Sequence, residues 1–147
     1  MYKYVLVLHI LSATVWTGGH LVLALALLPK ILRERSVADL LAFESAYEKW
    51  GMTALVIQVL SGLWLAHTLI PDIGSWFAAD NFVTRLILLK LTLLALTLAV
   101  AMDARLRVIP RLSADSLPAM ALRIRLITTL GVAFVIVGTT FRTGPWL

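Results

Sequence analysis

Four long apolar runs dominate this sequence and limit what it can fold into. They cover about residues 4–28, 50–70, 82–102 and 120–141, each 21 to 25 residues long. A helix that crosses the hydrocarbon core of a bilayer needs about 20 residues. A mean hydropathy of +0.93 agrees with a lipid environment, as does a charged fraction of 14%, against about 25% in soluble domains. The sequence therefore predicts an all-α integral membrane protein, a four-helix bundle.

The connections between the runs are too short to bury cores of their own. We therefore expect residues 1–147 to form a single four-transmembrane-helix domain. Ser36, followed three residues later by Asp39, is a helix-start signature. Because apolar residues then recur at helical spacing, we interpret residues 36–49 as an amphipathic cytoplasmic segment that leads into the second helix.

The cations are unevenly distributed over the connections. Nine of the 13 lysines and arginines flank the first and the last connection, whereas "PDIGSWFAADN" at 71–81 contains none. Since Lys and Arg are retained on the cytoplasmic side, we expect both termini and the loop at 72–81 to face outward. The net charge of +5 then reflects topology, so the expected partner is the lipid bilayer and not nucleic acid. The expected location is the bacterial inner (plasma) membrane.

Ionisable side chains inside the apolar runs are the candidates for function. They are costly in lipid, so each is expected to face the bundle interior and to have a partner. The set is His9, His20, His67, Arg85, Lys90 and Arg142. At about 1.5 Å per residue, all except His20 and Lys90 come to the outer half of the bundle. His20 follows His9 by eleven positions and is expected to project from the same face at a deeper level.

Two histidines at similar depth on neighbouring helices fit the needs of an iron porphyrin. We predict His9 and His67 as axial ligands, with Arg85 and Arg142 positioned for the propionates. The favoured cofactor is b-type heme, bound between helices near the outer side for electron transfer or redox chemistry. His20 is a further candidate metal ligand. The alternative is that these histidines are hydrogen-bonding struts and that the arginines snorkel to lipid head groups.

Copper is the alternative metal. The chain has no cysteine, and its four methionines are scattered, whereas copper(I) favours thiolate and thioether ligands. A histidine-only copper site formed by His9, His67 and His20 stays open. A path of methionines that could conduct copper is not indicated.

Lys90 lies near the middle of the third run, in "RLILLKLTLL". No acidic residue inside the runs could neutralise it. A lysine at this depth is expected either to pair with an anionic ligand or to be neutral at rest. We therefore predict Lys90 as a catalytic residue.

Three segments carry a resemblance to a known family: "LHILSATVWTGGHLVLALALLPKIL", "SGLWLA" and "RLILLKLTLLALTLAV". They resemble the copper resistance protein D (CopD) family and the related HemJ-type protoporphyrinogen oxidases. The resemblance implies roles for His9, Trp16 and Lys90. It also implies two alternatives to heme-based electron transfer, namely a copper-binding or copper-transport resistance protein and a HemJ-like oxidase. A quinone or a redox protein is the candidate electron partner, and both a homo-oligomer and a non-catalytic assembly role stay open.

Overall fold

The computed structural model describes residues 1–144. Over that range the chain forms helices and no strands. The helices are α1 (Tyr2–Glu34), α2 (Val37–Leu69), the short α3 (Ser75–Ala78), α4 (Phe82–Arg111) and α5 (Leu117–Thr143). The four long helices are long and apolar enough to cross a membrane. The predicted class, an all-α four-helix membrane bundle, is confirmed.

Three pairs of the long helices make the main contacts of the bundle. α1 lies against both α2 and α5, and α5 also lies against α4. One end of the bundle, here called the basic end, carries the connections at 35–36 and 112–116. The other, here called the loop end, carries residues 70–81 and the start of α1. Buried apolar side chains fill the basic end around Leu28, Ile31, Leu40, Leu117 and Ala121.

Two of the long helices contain a widened π-helical turn near the basic end. These turns are Val22–Leu27 in α1 and Ala104–Val108 in α4, and a proline follows each by two residues, Pro29 and Pro110. Proline lacks an N–H and its ring crowds the carbonyl four residues earlier, so the local hydrogen bonding must shift. The wider turns absorb this shift, and α1 continues beyond the predicted span of 4–28 to Glu34.

Polar side chains cap the starts of α2 and α4. Ser36 Oγ accepts a hydrogen bond from the Asp39 amide at 3.2 Å, which confirms the predicted cap of the second helix. The segment at 36–49 is continuous with the rest of α2. At the loop end, Asn81 and Thr84 form a reciprocal capping box at the start of α4.

The loop-end connection is ordered by two side chains. Trp76 is buried, and its Nε1 donates to the Ile70 carbonyl at 2.8 Å. The Ser75 hydroxyl donates to Asp72 at 2.6 Å, and the Gly74 amide also donates to that carboxylate. These hydrogen bonds, that of the Ser75 side chain first, hold the pKa of Asp72 below its ordinary value.

Ion pairs join the chain at the basic end. Arg123 contacts Asp103 at 2.7 Å with both side chains largely buried, and it links α5 to α4. Two other ion pairs are more exposed. Arg105 pairs with Glu48 and links α4 to α2, and Arg35 pairs with Asp115 and links the 35–36 connection to the 112–116 connection. The basic end is therefore held by charge as well as by apolar packing.

Candidate functional site

The four long helices contribute to one polar layer near the loop end, here called the His9 layer. His9 Nδ1 from α1 lies 2.9 Å from Ser61 Oγ on α2. A Cβ atom at the neighbouring Gly62 would lie only 3.0 Å from His9 Cε1, so glycine makes room for the ring. The other two helices contribute Lys90 on α4 and Gly138 on α5. A Cβ atom at Gly138 would lie 3.5 Å from Lys90 Nζ.

Lys90 is close enough to His9 for its charge to act on the imidazole. Its Nζ lies 5.3 Å from the centroid of the Phe141 ring, a distance typical of a cation–π contact. Among residues 1–144, no carboxylate and no hydrogen-bond acceptor contacts this nitrogen. The structure thus places two of the predicted site residues, His9 and Lys90, near one another, and no acceptor among residues 1–144 contacts the lysine amine.

His20 lies deeper, towards the basic end. Eleven residues at about 100° each bring it within about 20° of His9 around α1, and the buried Trp16 lies between the two histidines. His20 Nδ1 lies 2.9 Å from the Trp16 carbonyl oxygen, and its ring meets that of Tyr47 edge-on with centroids 5.7 Å apart. The hydroxyl of Thr128 donates to the His20 carbonyl at 3.2 Å. His20 is therefore held by partners of its own, outside the His9 layer.

His67 lies outside the His9 layer. It follows Ser61 by six residues, which corresponds to about 9 Å along α2 and about 120° around it. Its side chain is exposed, and it makes no hydrogen bond within the described residues. Joint ligation by His9 and His67 stays a prediction, and this placement does not support it.

The two arginines predicted at the propionates are both exposed. Arg85 Nε donates to the Ala79 carbonyl at 3.1 Å, which turns this side chain to the loop-end connection. Arg142 follows Gly138 by four residues, so it is one helical turn nearer the loop end on a similar face of α5. Of the two arginines, only Arg142 lies on the loop-end side of the His9 layer and on a face that borders it.

Ser61 is the site residue that sequence reasoning missed. It is buried, with 6% of its surface exposed, and its only sequence signal is a Ser–Gly pair inside an apolar run. Two further polar atoms are buried without a partner in the described part of the chain, Thr17 Oγ1 and Gln58 Oε1. The bundle interior is thus more polar than the hydropathy of its helices indicates.

The donor set determines which metal centres could fit. No group of three or more His, Asp or Glu side chains within residues 1–144 could hold a metal ion. His9 would supply the one imidazole of the layer, and the Lys90 amine, when neutral, a second nitrogen. These residues fit a centre with a single protein imidazole, and the second axial histidine of a bis-histidine heme has no counterpart in the layer.

The chain was compared with known proteins. A family model described as "Copper resistance protein D" (CopD) matches residues 41–146, nearly three quarters of the sequence. The matched region includes Ser61 and Lys90, and α1 with its two histidines lies before it. No curated protein and no solved structure matches the chain.

Proposed function

Because the chain belongs to the copper resistance protein D (CopD) family, we propose that this multi-pass membrane protein binds a metal centre through His9, beside Lys90. The observation that supports the proposal is the His9 layer itself. An imidazole and an amine from different helices lie near enough for charge to act between them, in a bundle that offers them no acidic partner among its described residues. Polar groups at such depth are costly and mark functional sites.

Copper is the first candidate, since the family is one of copper resistance. Imidazole is a suitable copper ligand, and a neutral amine is a further nitrogen donor. The remaining ligands would come from the molecule that delivers or receives the metal. Cysteine is absent from the sequence, so a thiolate cage is excluded.

Heme is the second candidate, and the observation that favours it is the amine of Lys90, which no carboxylate among residues 1–144 contacts. A lysine ammonium would repel a bare copper cation, whereas it would pair with a heme propionate. In that case His9 would be the histidine that holds the heme, and a bound heme would supply one-electron redox chemistry. A quinone or a redox protein would then be the electron partner.

The proposal includes an orientation. The basic end carries the lysines and arginines around the 35–36 and 112–116 connections. Such residues are retained in the cytoplasm, so the His9 layer would lie towards the outer side of a bacterial inner membrane, with both termini outside.

Metal and heme analysis of the purified protein tests the proposal. The protein is produced in cells supplied with copper and heme, purified in detergent, and measured by elemental analysis and by absorbance before and after reduction. His9→Gln should remove the bound centre. His67→Gln is the matched control, because His67 is exposed and outside the layer, and it should retain the centre.

Either of two results would overturn the proposal. The wild-type protein could contain neither copper nor heme, or the His9→Gln protein could retain as much of the centre as the wild type. Loss of the centre in His67→Gln would instead restore joint ligation by both histidines.

A further inference from the structure

The hydrogen bonds around Ser61 determine how its hydroxyl can meet His9. Ser61 Oγ lies 2.6 Å from the Ile57 carbonyl oxygen and 3.2 Å from that of Gln58, one helical turn earlier in α2. It also lies 2.9 Å from His9 Nδ1. A serine hydroxyl has one proton to donate and lone pairs with which to accept. A carbonyl oxygen can only accept, so the nearest carbonyl, that of Ile57, takes the hydroxyl proton.

The opposite arrangement would be costly. If Ser61 donated its proton to His9, the hydroxyl and Ile57 carbonyl oxygens would face each other at 2.6 Å without a proton between them. Inside the hydrocarbon region no bulk water can satisfy such groups. The hydroxyl oxygen is then left to accept, and His9 Nδ1, 2.9 Å away, is the group positioned to donate to it.

We propose that Ser61 is a positioning residue that fixes His9 with its proton on Nδ1, so that Nε2 is the atom that binds a ligand. Metal-bound histidines generally donate their other ring N–H to such a partner, which sets the tautomer and the orientation of the ring. The identity of the ligand rests on the proposed function, whereas the tautomer is a property of the protein alone.

Gly62 supports the same orientation. Glycine has no side chain, and His9 Cε1 lies in the space that this leaves. A Cβ atom at position 62 would lie only 3.0 Å from this carbon. Cε1 is the ring carbon between the two nitrogens. Ser61 therefore holds Nδ1 by a hydrogen bond, Gly62 leaves room for Cε1, and Nε2, on the far side of the ring, is directed away from Ser61.

Nitrogen NMR of histidine-labelled, ligand-free protein tests the tautomer directly. At about pH 8 a neutral imidazole is expected from its ordinary pKa of about 6.5. The chain has only three histidines, so His20→Gln and His67→Gln suffice to assign the His9 signals. We expect a protonated Nδ1 and an unprotonated Nε2. Ser61→Ala should turn this single state into a mixture of tautomers, and Ser61→Thr, which retains the hydroxyl, should restore it.

Ser12→Ala is the matched control. Ser12 is also a buried helical serine bonded to the carbonyl four residues earlier, at 2.8 Å, but it makes no hydrogen bond to His9. It should leave the tautomer unchanged. In titrations with copper or with heme, Ser61→Ala should weaken binding by about 10- to 100-fold, the usual loss for such partners of a ligating histidine, while Ser12→Ala should not.

The outcomes separate this inference from the proposed function. A protonated Nε2 in the wild-type protein would overturn the inference, as would a Ser61→Ala protein with an unchanged tautomer. If Ser61→Ala does not fold, the wild-type tautomer still decides. If the tautomer depends on Ser61 but neither copper nor heme binds at His9, the positioning role stands and the proposed function fails.

Discussion

Tyr47 is wedged between two glycines, and this contact gives a sharp test of how α1 and α2 pack. A Cβ atom at Gly51 would lie 2.7 Å from Tyr47 Cε1, and one at Gly19 would overlap the other edge of the ring. At Gly18, by contrast, a Cβ atom would have nothing within 4 Å. Gly19→Ala should therefore displace the tyrosine, while Gly18→Ala should be accommodated.

The magnitude follows from three contributions. Overpacking of an interior costs about 1–3 kcal/mol. Displacement of the ring would also break the hydrogen bond of the single Tyr47 hydroxyl proton, which the Val15 and Trp16 carbonyls share at 3.0 Å each. Such a bond in a membrane protein contributes about 0.6 kcal/mol. Replacement of glycine by alanine in a helix gains up to about 1 kcal/mol. Gly19→Ala should thus destabilise the protein by about 1–3 kcal/mol, whereas Gly18→Ala should be neutral or slightly stabilising.

Reversible unfolding in mixed detergent and SDS micelles measures both variants. The double variant Gly19→Ala/Tyr47→Leu removes the obstructing ring, and its cost should be at least about 1 kcal/mol below the sum of the single costs, as expected for residues in contact. Equal free energies of unfolding for the Gly18 and Gly19 variants would refute this account of the interface. Strict additivity in the double variant would refute it as well.

Three further predictions concern the charged groups. Lys90→Met should leave the fold intact but lower metal or heme content, because it removes the amine beside His9, and unchanged content would exclude a role for this amine. Arg123→Gln should destabilise the protein by about 1 kcal/mol through loss of a largely buried ion pair with Asp103, whereas the exposed Arg125→Gln should not, as measured by the same unfolding assay. Reporter fusions in the basic connections should behave as cytoplasmic and one in the loop-end connection should not, and the reverse pattern would contradict the proposed orientation. The fusion sites are after Arg35, Arg111 and Ser75.

Features that depend on local sequence could be predicted well. The membrane class follows from the lengths of the apolar runs, and those runs correspond to the four long helices. The Ser36 cap follows from a side chain that satisfies an amide three residues later. Pro29 shows a limit of such rules. The predicted first span of 4–28 stops just before this proline, but packing at the basic end keeps the helix intact to Glu34 through a π-helical turn.

The site was harder to predict because depth and direction are different kinds of information. The depth of a residue in a span follows from counting, and this is enough to place His9 and His67 in the half of the bundle nearer the loop end. The direction of a side chain depends on which face of its helix meets a neighbour, and in a chain apolar on all sides the sequence carries little signal of that face. On α2 the face towards α1 is marked by Ser61 and Gly62, which contact His9. His67 is rotated away from this pair by about a third of a turn or more around the axis of α2. A polar–small pair inside an apolar run is thus a better indicator of the interior face than a second histidine at matching depth, because only small or hydrogen-bonding residues allow helices in lipid to approach a buried imidazole.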